Sequence, residues 1–386
     1  MNKSIKTMLN LSVPYFDNNA TTQVSQRVLD VLNEYNSKYF ANPSSSHKLG
    51  MICNALYEKH RKSIADIFNV SENEVIFTSG STESINTAIK GLYFQYASQK
   101  NHIISCKTEH SAVLNTLYYL EKYHKAKITL LDVDDNGSID LNLLEQSINE
   151  KTLLVCLMAA NNETGVIHPL NDIYKITQKK NVLFFSDTTQ IFGKSDITQI
   201  PADIFCGSGH KIYACKGIGF LVIKNLGRKV FLHPLIHGGM QQEYRSGTLP
   251  LPLIAALSTA IEDIFSNTID VSKIKELRDY FEQRLKTLED IKIHGEKVNR
   301  LVNTCNAEFS EKYYEALIKL MKKFCYSHGS ACSDGSGKPS HVLTAMGLSE
   351  EQIKSSFRFS FSKHNKKEEV DKFFEELLRI LSNGVE

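Results

Sequence analysis

A lysine closes the segment Ala202-Asp203-Ile204-Phe205-Cys206-Gly207-Ser208-Gly209-His210-Lys211, just after a short apolar run. Twenty-four residues earlier a second apolar run delivers an acid, in Val182-Leu183-Phe184-Phe185-Ser186-Asp187-Thr188-Thr189-Gln190. Taken singly, Lys211 reads as a solvated loop lysine and Asp187 as a helix cap. Taken in order, they suit pyridoxal-phosphate chemistry. The lysine would hold the aldehyde as a Schiff base, and the aspartate would keep the pyridine nitrogen protonated so that the ring draws electrons.

Other segments carry chemistry of the same kind. In Ile76-Phe77-Thr78-Ser79-Gly80-Ser81-Thr82-Glu83 a strand enters a small-residue turn, and a helix follows, with Ser81 or Thr82 as the expected cap. Backbone N–H groups, hydroxyls and the helix dipole there form an anion site, with Ser208 and His210 as further ligands. The segment lacks the Gly-Lys-Ser/Thr ending of a nucleotide-binding loop. His110, after the apolar run His102–Cys106, could stack on an aromatic cofactor and shuttle protons, or simply cap a helix. Asn162, in the turn after the most apolar run, offers an amide to a phenolic oxygen. Arg358, between Phe357 and Phe359, suits capture of a carboxylate, and its plainer reading is a surface ion pair. Residues 327–340 hold three glycines, a proline and four serines before the last. Such a stretch reads as an exposed, mobile loop, and Cys332 within it reads as a reactive nucleophile. Cys325, on the apolar run before it, reads as core packing.

Elements must position these residues. Apolar runs alternate with amphipathic stretches from about Val75 to Ile223. Strands are expected at Glu74–Thr78, His102–Cys106, Lys127–Val133, Thr152–Ala160, Val182–Ser186, Ala202–Phe205 and Gly219–Ile223. Helices are expected at Glu83–Tyr96, Ser111–His124 and Leu141–Ile148. The alternation predicts an α/β domain with a mostly parallel seven-stranded sheet and ligands at its carboxyl edge. Helical patterns at Pro252–Ser266, Ser272–Leu288 and Lys367–Leu381, with weaker strands between, predict a smaller α+β domain. The expected boundaries are 17–259 for the large domain, with 1–16 and 260–386 forming the small one that carries the cysteine loop.

The chain has 386 residues, 42% apolar, and a net charge of +2, which gives no reason to expect nucleic acid or an anionic membrane surface. No run approaches the ~18 apolar residues of a membrane span. The eight cysteines show no CxxC spacing, so reduced thiols in the cytoplasm are expected rather than disulfides or a metal site.

Together these segments resemble the cysteine desulfurases of the class V aminotransferases, which are fold-type I pyridoxal-phosphate transferases. The likeness runs colinearly from Tyr15-Phe16-Asp17-Asn18-Asn19-Ala20-Thr21-Thr22 through Asn42-Pro43-Ser44 and Thr108-Glu109-His110. It continues through Asn161–Gly165, Asp187–Gln190, Ser208–Lys211 and Arg245-Ser246-Gly247-Thr248 to the Cys332 loop and Arg358. The resemblance implies that Lys211 binds the cofactor, Asp187 pairs with its pyridinium, His110 stacks on the ring, and Asn162 and Gln190 touch its phenolic oxygen. It implies a phosphate held by Ser81, Thr82, Ser208 and His210, completed by a residue of a second subunit at the position Thr248 matches, hence a homodimer. It further implies that Arg358 and Asn42 orient the carboxylate of L-cysteine, and that Cys332 takes its sulfur as a persulfide and passes it to an acceptor protein. Iron–sulfur assembly, tRNA thiolation and DNA phosphorothioation are the pathways implied. A selenocysteine lyase or another class V lyase or aminotransferase is the alternative.

Overall fold

The computed structural model describes residues 13–195, 199–239, 241–266, 269–328 and 338–382. Helices α1 (Gln26–Lys38) and α2 (Lys48–Phe68) precede an alternating series. It comprises β1 (Val75–Thr78), α3 (Ser81–Tyr96), β2 (His102–Cys106), α4 (Ser111–His124), β3 (Lys127–Leu131), α5 (Leu141–Ser147), β4 (Thr152–Cys156), α6 (Leu170–Lys179), β5 (Leu183–Asp187), β6 (Ile204–Ser208), β7 (Gly219–Ile223) and α7 (Leu251–Phe265). These seven strands form one sheet in the order β1-β7-β6-β5-β4-β2-β3, and β7 alone runs against its neighbours. The mostly parallel α/β sheet expected from the alternation is present.

Side-chain alternation explains why the strands are apolar throughout. On β4, Val155 packs into the core on one face, with Phe77, Phe184, Phe205 and Phe220. Leu154 and Cys156 pack into the opposite core, with Ile103, Phe185 and Leu221. A strand covered on both faces needs apolar residues at every position. Edge strand β3 is mostly solvent-facing, whereas the other edge, β1, is fully buried. There the Gln242 side chain accepts from Phe77 N (2.7 Å) and donates to Phe77 O (3.0 Å), making the pair of bonds that another strand would make.

The expected strand Thr152–Ala160 ends at Cys156. Residues 157–160 stay buried, and Leu157 N and Ala159 N bond to the Phe185 and Asp187 carbonyls, so the chain keeps alongside β5 past the end of the strand.

The remaining elements are α8 (Val271–Leu285), β8 (Lys292–Ile293), β9 (Thr304–Glu308), α9 (Glu311–Leu320), β10 (Ser327–His328), α10 (His341–Ala345), α11 (Glu350–Lys354), β11 (Ser356–Ser360) and α12 (Lys367–Ser382). Four antiparallel strands, in the order β10-β11-β9-β8, cover an aromatic core. In it Phe281 lies 4.7 Å from Phe359 and 5.3 Å from Phe361, between ring centroids. Two expectations are corrected here. Cys325 is exposed, because Phe324 and Tyr326 on either side turn inward and the extended backbone sends Cys325 outward. The supposed loop 327–340 begins as a buried strand, since Ser327 and His328 pair with β11.

Residues 14–22 run between the two sheets. Phe16 N donates to Cys325 O (2.7 Å) and Ser360 N to Phe16 O (2.7 Å), while Thr22 N reaches His210 O (2.8 Å). Asn19, 1% exposed, donates to Thr304 Oγ1 (2.8 Å) and Asn162 O (3.2 Å) and accepts from Asn303 (3.0 Å). Asn19→Ala removes these three buried bonds at once and should cost about 2 kcal/mol in urea unfolding. A loss below about 0.5 kcal/mol, within the range of ordinary surface changes, would show that this side chain does not clasp the sheets together.

Candidate active site

Asp187 is the last residue of β5 and pairs in register with Cys206 of β6; Lys211 follows β6 after one tight turn. The acid and the amine therefore emerge from neighbouring parallel strands at the carboxyl edge. Both line a cavity of about 440 Å³. Lys211 Nζ donates to Asn19 O (2.6 Å) and Ala20 O (2.7 Å). Burial, then the Arg358 charge, lowers its pKa from the ordinary 10.5 to about 8, against the opposing pull of Asp17 and Asp187. Asp187 Oδ1 accepts from Thr189 N (3.0 Å), the Thr189 hydroxyl and the Cys206 thiol (3.7 Å). Beside it Glu109 is fully buried and accepts from Met158 N (2.5 Å). Burial, and then the Asp187 charge, push its carboxyl well above the usual range, against the Met158 N–H that it accepts from.

The turn after β1 brings Ser81, Thr82, Ser208 and His210 to the same cavity. The expected cap is corrected: Gly80 occupies the N-cap of α3 at φ +152°, and no side chain caps the helix. Ser81 bonds instead to Thr189 Oγ1 (2.5 Å), and Thr82 is exposed. Backbone N–H groups of the first turn are thereby left for an outside acceptor. Gly219 at the start of β7 abuts this turn so closely that a Cβ on it would lie 2.6 Å from Gly80 Cα. His210 contacts Thr21 Oγ1 (3.2 Å), and its pKa falls to about 4, through burial and then the nearby Lys211, Lys194 and Lys216.

His110 is the N-cap of α4, as its capping reading expected, and it lines the cavity as well. Its Nδ1 accepts from Ala112 N (3.1 Å), which puts the proton of the neutral ring on Nε2. Asn162 and Gln190 complete the wall.

His110, Asn162 and Lys211 also line a second cavity of about 420 Å³, with Asp17, His341 and Arg358. Arg358 is 7% exposed on β11. Its Nη2 donates to Asp17 Oδ1 (2.7 Å) and Ser327 Oγ (2.8 Å), and its Nη1 to Asn162 O (3.0 Å), while Nε has no partner. It is a buried, paired arginine rather than a surface one. His341 Nε2 donates to Glu109 O (2.8 Å) and ties the start of α10 beside His110.

Two of the residues named from sequence are not brought to either cavity within this chain. Thr248 is exposed, and Asn42 is exposed with its Oδ1 accepting from Ser44 N (3.0 Å). Cys332 lies outside the described residues. Sequence reasoning gave no role to Asp17, Asn19 or Thr189, although all three sit in segments it singled out. It missed Glu109 and His341, whose signal was adjacency to His110 and to the end of the cysteine loop. The donor set of amine, carboxylate, hydroxyls and uncapped helix start fits a phosphorylated pyridine aldehyde.

The description "Aminotransferase class-V" belongs to a family whose pattern matches residues 14–373. The cysteine desulfurase IscS of Rickettsia bellii is 40% identical over 369 residues, covering 94% of this chain and 90% of the relative. A solved NifS-like protein superposes with a TM-score of 0.87 at 34% identity, covering 96% of this chain and all of the other. A structure described as SspA in complex with cysteine gives a TM-score of 0.81 at 34% identity, covering 92% of this chain and all of the other. The family's pattern spans all but the ends of the chain, and the relatives cover nine-tenths or more of it: this chain belongs to the aminotransferase class-V family.

Proposed function

We propose that the chain is a pyridoxal-phosphate-dependent cysteine desulfurase, which converts L-cysteine to L-alanine and leaves the sulfur as a persulfide on Cys332. The observation that carries this reading is the convergence of Lys211, Asp187 and the uncapped start of α3 on one cavity, with Arg358 in the next. The names of its relatives and the cysteine bound to the SspA structure support the substrate. Enzymes of this family use pyridoxal phosphate, which when bound acts as an electron sink that eases Cα–H and Cβ–S cleavage.

The chain's own residues do the rest. Lys211 would hold the aldehyde carbon and, once the amine of the substrate has displaced it, its freed amine would carry the substrate α-proton. Asp187 keeps the proton on the ring nitrogen. Ser81, Thr82, Ser208, a neutral His210 and the helix start hold the phosphate. His110 lies against the ring with its proton on Nε2, and Asn162 and Gln190 face the ring oxygen. Arg358 binds the substrate carboxylate, sharing its guanidinium with Asp17 and Ser327. The Cys332 thiolate attacks the substrate sulfur, so that one S–S bond forms as one C–S bond breaks, and the protons released return to the carbon skeleton.

Thr248 and Asn42 act across a homodimer, which accounts for their distance from the cavities of a single chain. The sulfur acceptor is another protein, an iron–sulfur scaffold or a thiolation enzyme. The large domain spans 17–259, and the small domain comprises 1–16 and 260–386. Seven cysteines, all of those among the described residues, are unpaired, and no described helix is long and apolar enough to cross a membrane. The free thiols support a cytoplasmic setting.

Incubation with L-cysteine and dithiothreitol should yield alanine and sulfide in equal amounts, and a yellow protein that makes neither would sink the reading. Cys332→Ala should stay yellow and lose alanine formation at least a hundredfold; unchanged turnover would remove Cys332 from the reaction. Uptake of added pyridoxal phosphate by cofactor-stripped protein should quicken as pH rises and level off above about 8, where the Lys211 amine is unprotonated. A midpoint near the ordinary 10.5 would show that burial does not tune this lysine.

A further inference from the structure

A second lysine lies beside the site and has no part in the chemistry above. Lys194 is 3% exposed, and among the described residues its Nζ makes one hydrogen bond, to Gln190 Oε1 at 2.6 Å, and no ion pair. Gln190 Nε2 in turn donates to Asn19 O (3.0 Å), the same carbonyl that accepts from Lys211 Nζ (2.6 Å). Two amines are thus joined through one amide and one carbonyl.

Burying an amine without a carboxylate is costly, and methionine of similar length would fill the space at less expense. The charged groups that act on Lys194 are Lys211 and Arg358, both of its own sign; with burial first, they push its pKa well below the ordinary range. Asn19 O can only accept, so it takes a Gln190 N–H, and the Lys194 amine donates to the Oε1 at the other end: oxygen toward Lys194, N–H groups toward Asn19 and the cavity that Gln190 lines.

We propose that Lys194 is a positioning residue, which locks the Gln190 amide so that an N–H, never the carbonyl, faces the ring oxygen of the cofactor. This rests on the pyridoxal-phosphate reading of the cavity. The donated hydrogen bond also polarises the amide and strengthens the N–H it presents. Without Lys194 the amide is free to turn its carbonyl toward that oxygen, which disfavours the deprotonated form.

The test is a pH titration of the ~420 nm absorbance of the holoenzyme in wild type, Lys194→Met, Gln190→Ala and the double variant. Lys194→Met should raise the midpoint by about one pH unit, a tenfold change in proton affinity. The double variant should match Gln190→Ala, because Lys194 acts only through Gln190. Lys194→Gln, which keeps a donor, should return the midpoint to the wild-type value. If Lys194→Met does not fold, Lys194→Ala gives the same readout. An unmoved midpoint, or shifts that simply add in the double variant, overturns this inference while leaving the desulfurase reading intact. Wild-type protein that takes up no chromophore overturns that reading, and this inference with it.

Discussion

An extended segment with no sheet of its own must find a partner for every buried backbone group it carries, and residues 14–22 meet that constraint by spending their hydrogen bonds on both sheets. Asn18 N and Phe16 O pair with Ser360 on β11, and Thr22 N pairs with His210 after β6. The carbonyls of Asn19 and Ala20 hold the Lys211 amine. Asp17, within the same stretch, holds Arg358. The amine that follows the seven-stranded sheet and the guanidinium carried by the four-stranded one are thus fixed relative to each other by a single short stretch of chain. The geometry of the site depends on that stretch being satisfied from both sides.

Burial sets the electrostatics of the same region, and it works against charge. The pKa values of Lys211 and His210 are lowered, to about 8 and about 4, and that of Glu109 is raised. Each moves in the direction that desolvation dictates for its type, cations downward and acids upward. Arg358, the one group here that cannot give up its charge, is the one matched with a carboxylate.

The sheet was legible because strands buried on both faces are apolar at every position. His102–Cys106 and Gly219–Ile223 match their expected bounds, and the other strands shift by a few residues. Strand ends are set by hydrogen bonding, which hydrophobicity does not encode, so the run from Thr152 overshot. Nine of the residues named from sequence line one cavity, because the carboxyl ends of parallel strands must gather at one edge. What sequence did not reveal was polar and tertiary. The Asp17–Arg358 pair joins residues 341 positions apart, and the raised pKa of Glu109 follows from burial that no local pattern announces. Cys325 was misread because an apolar neighbourhood was taken for an apolar position, whereas alternation in extended backbone turns every second side chain outward.

The loop that precedes α7 grips the chain on both sides of the turn at Ser79–Ser81. Gln242 completes the hydrogen bonding of Phe77 just before that turn, and Arg245 forks onto Glu83 just after it. One side of the cavity wall is thus held in place by a loop that reaches from the buried edge of β1 to the exposed Thr248, so the same few residues both brace the wall and reach the outer surface.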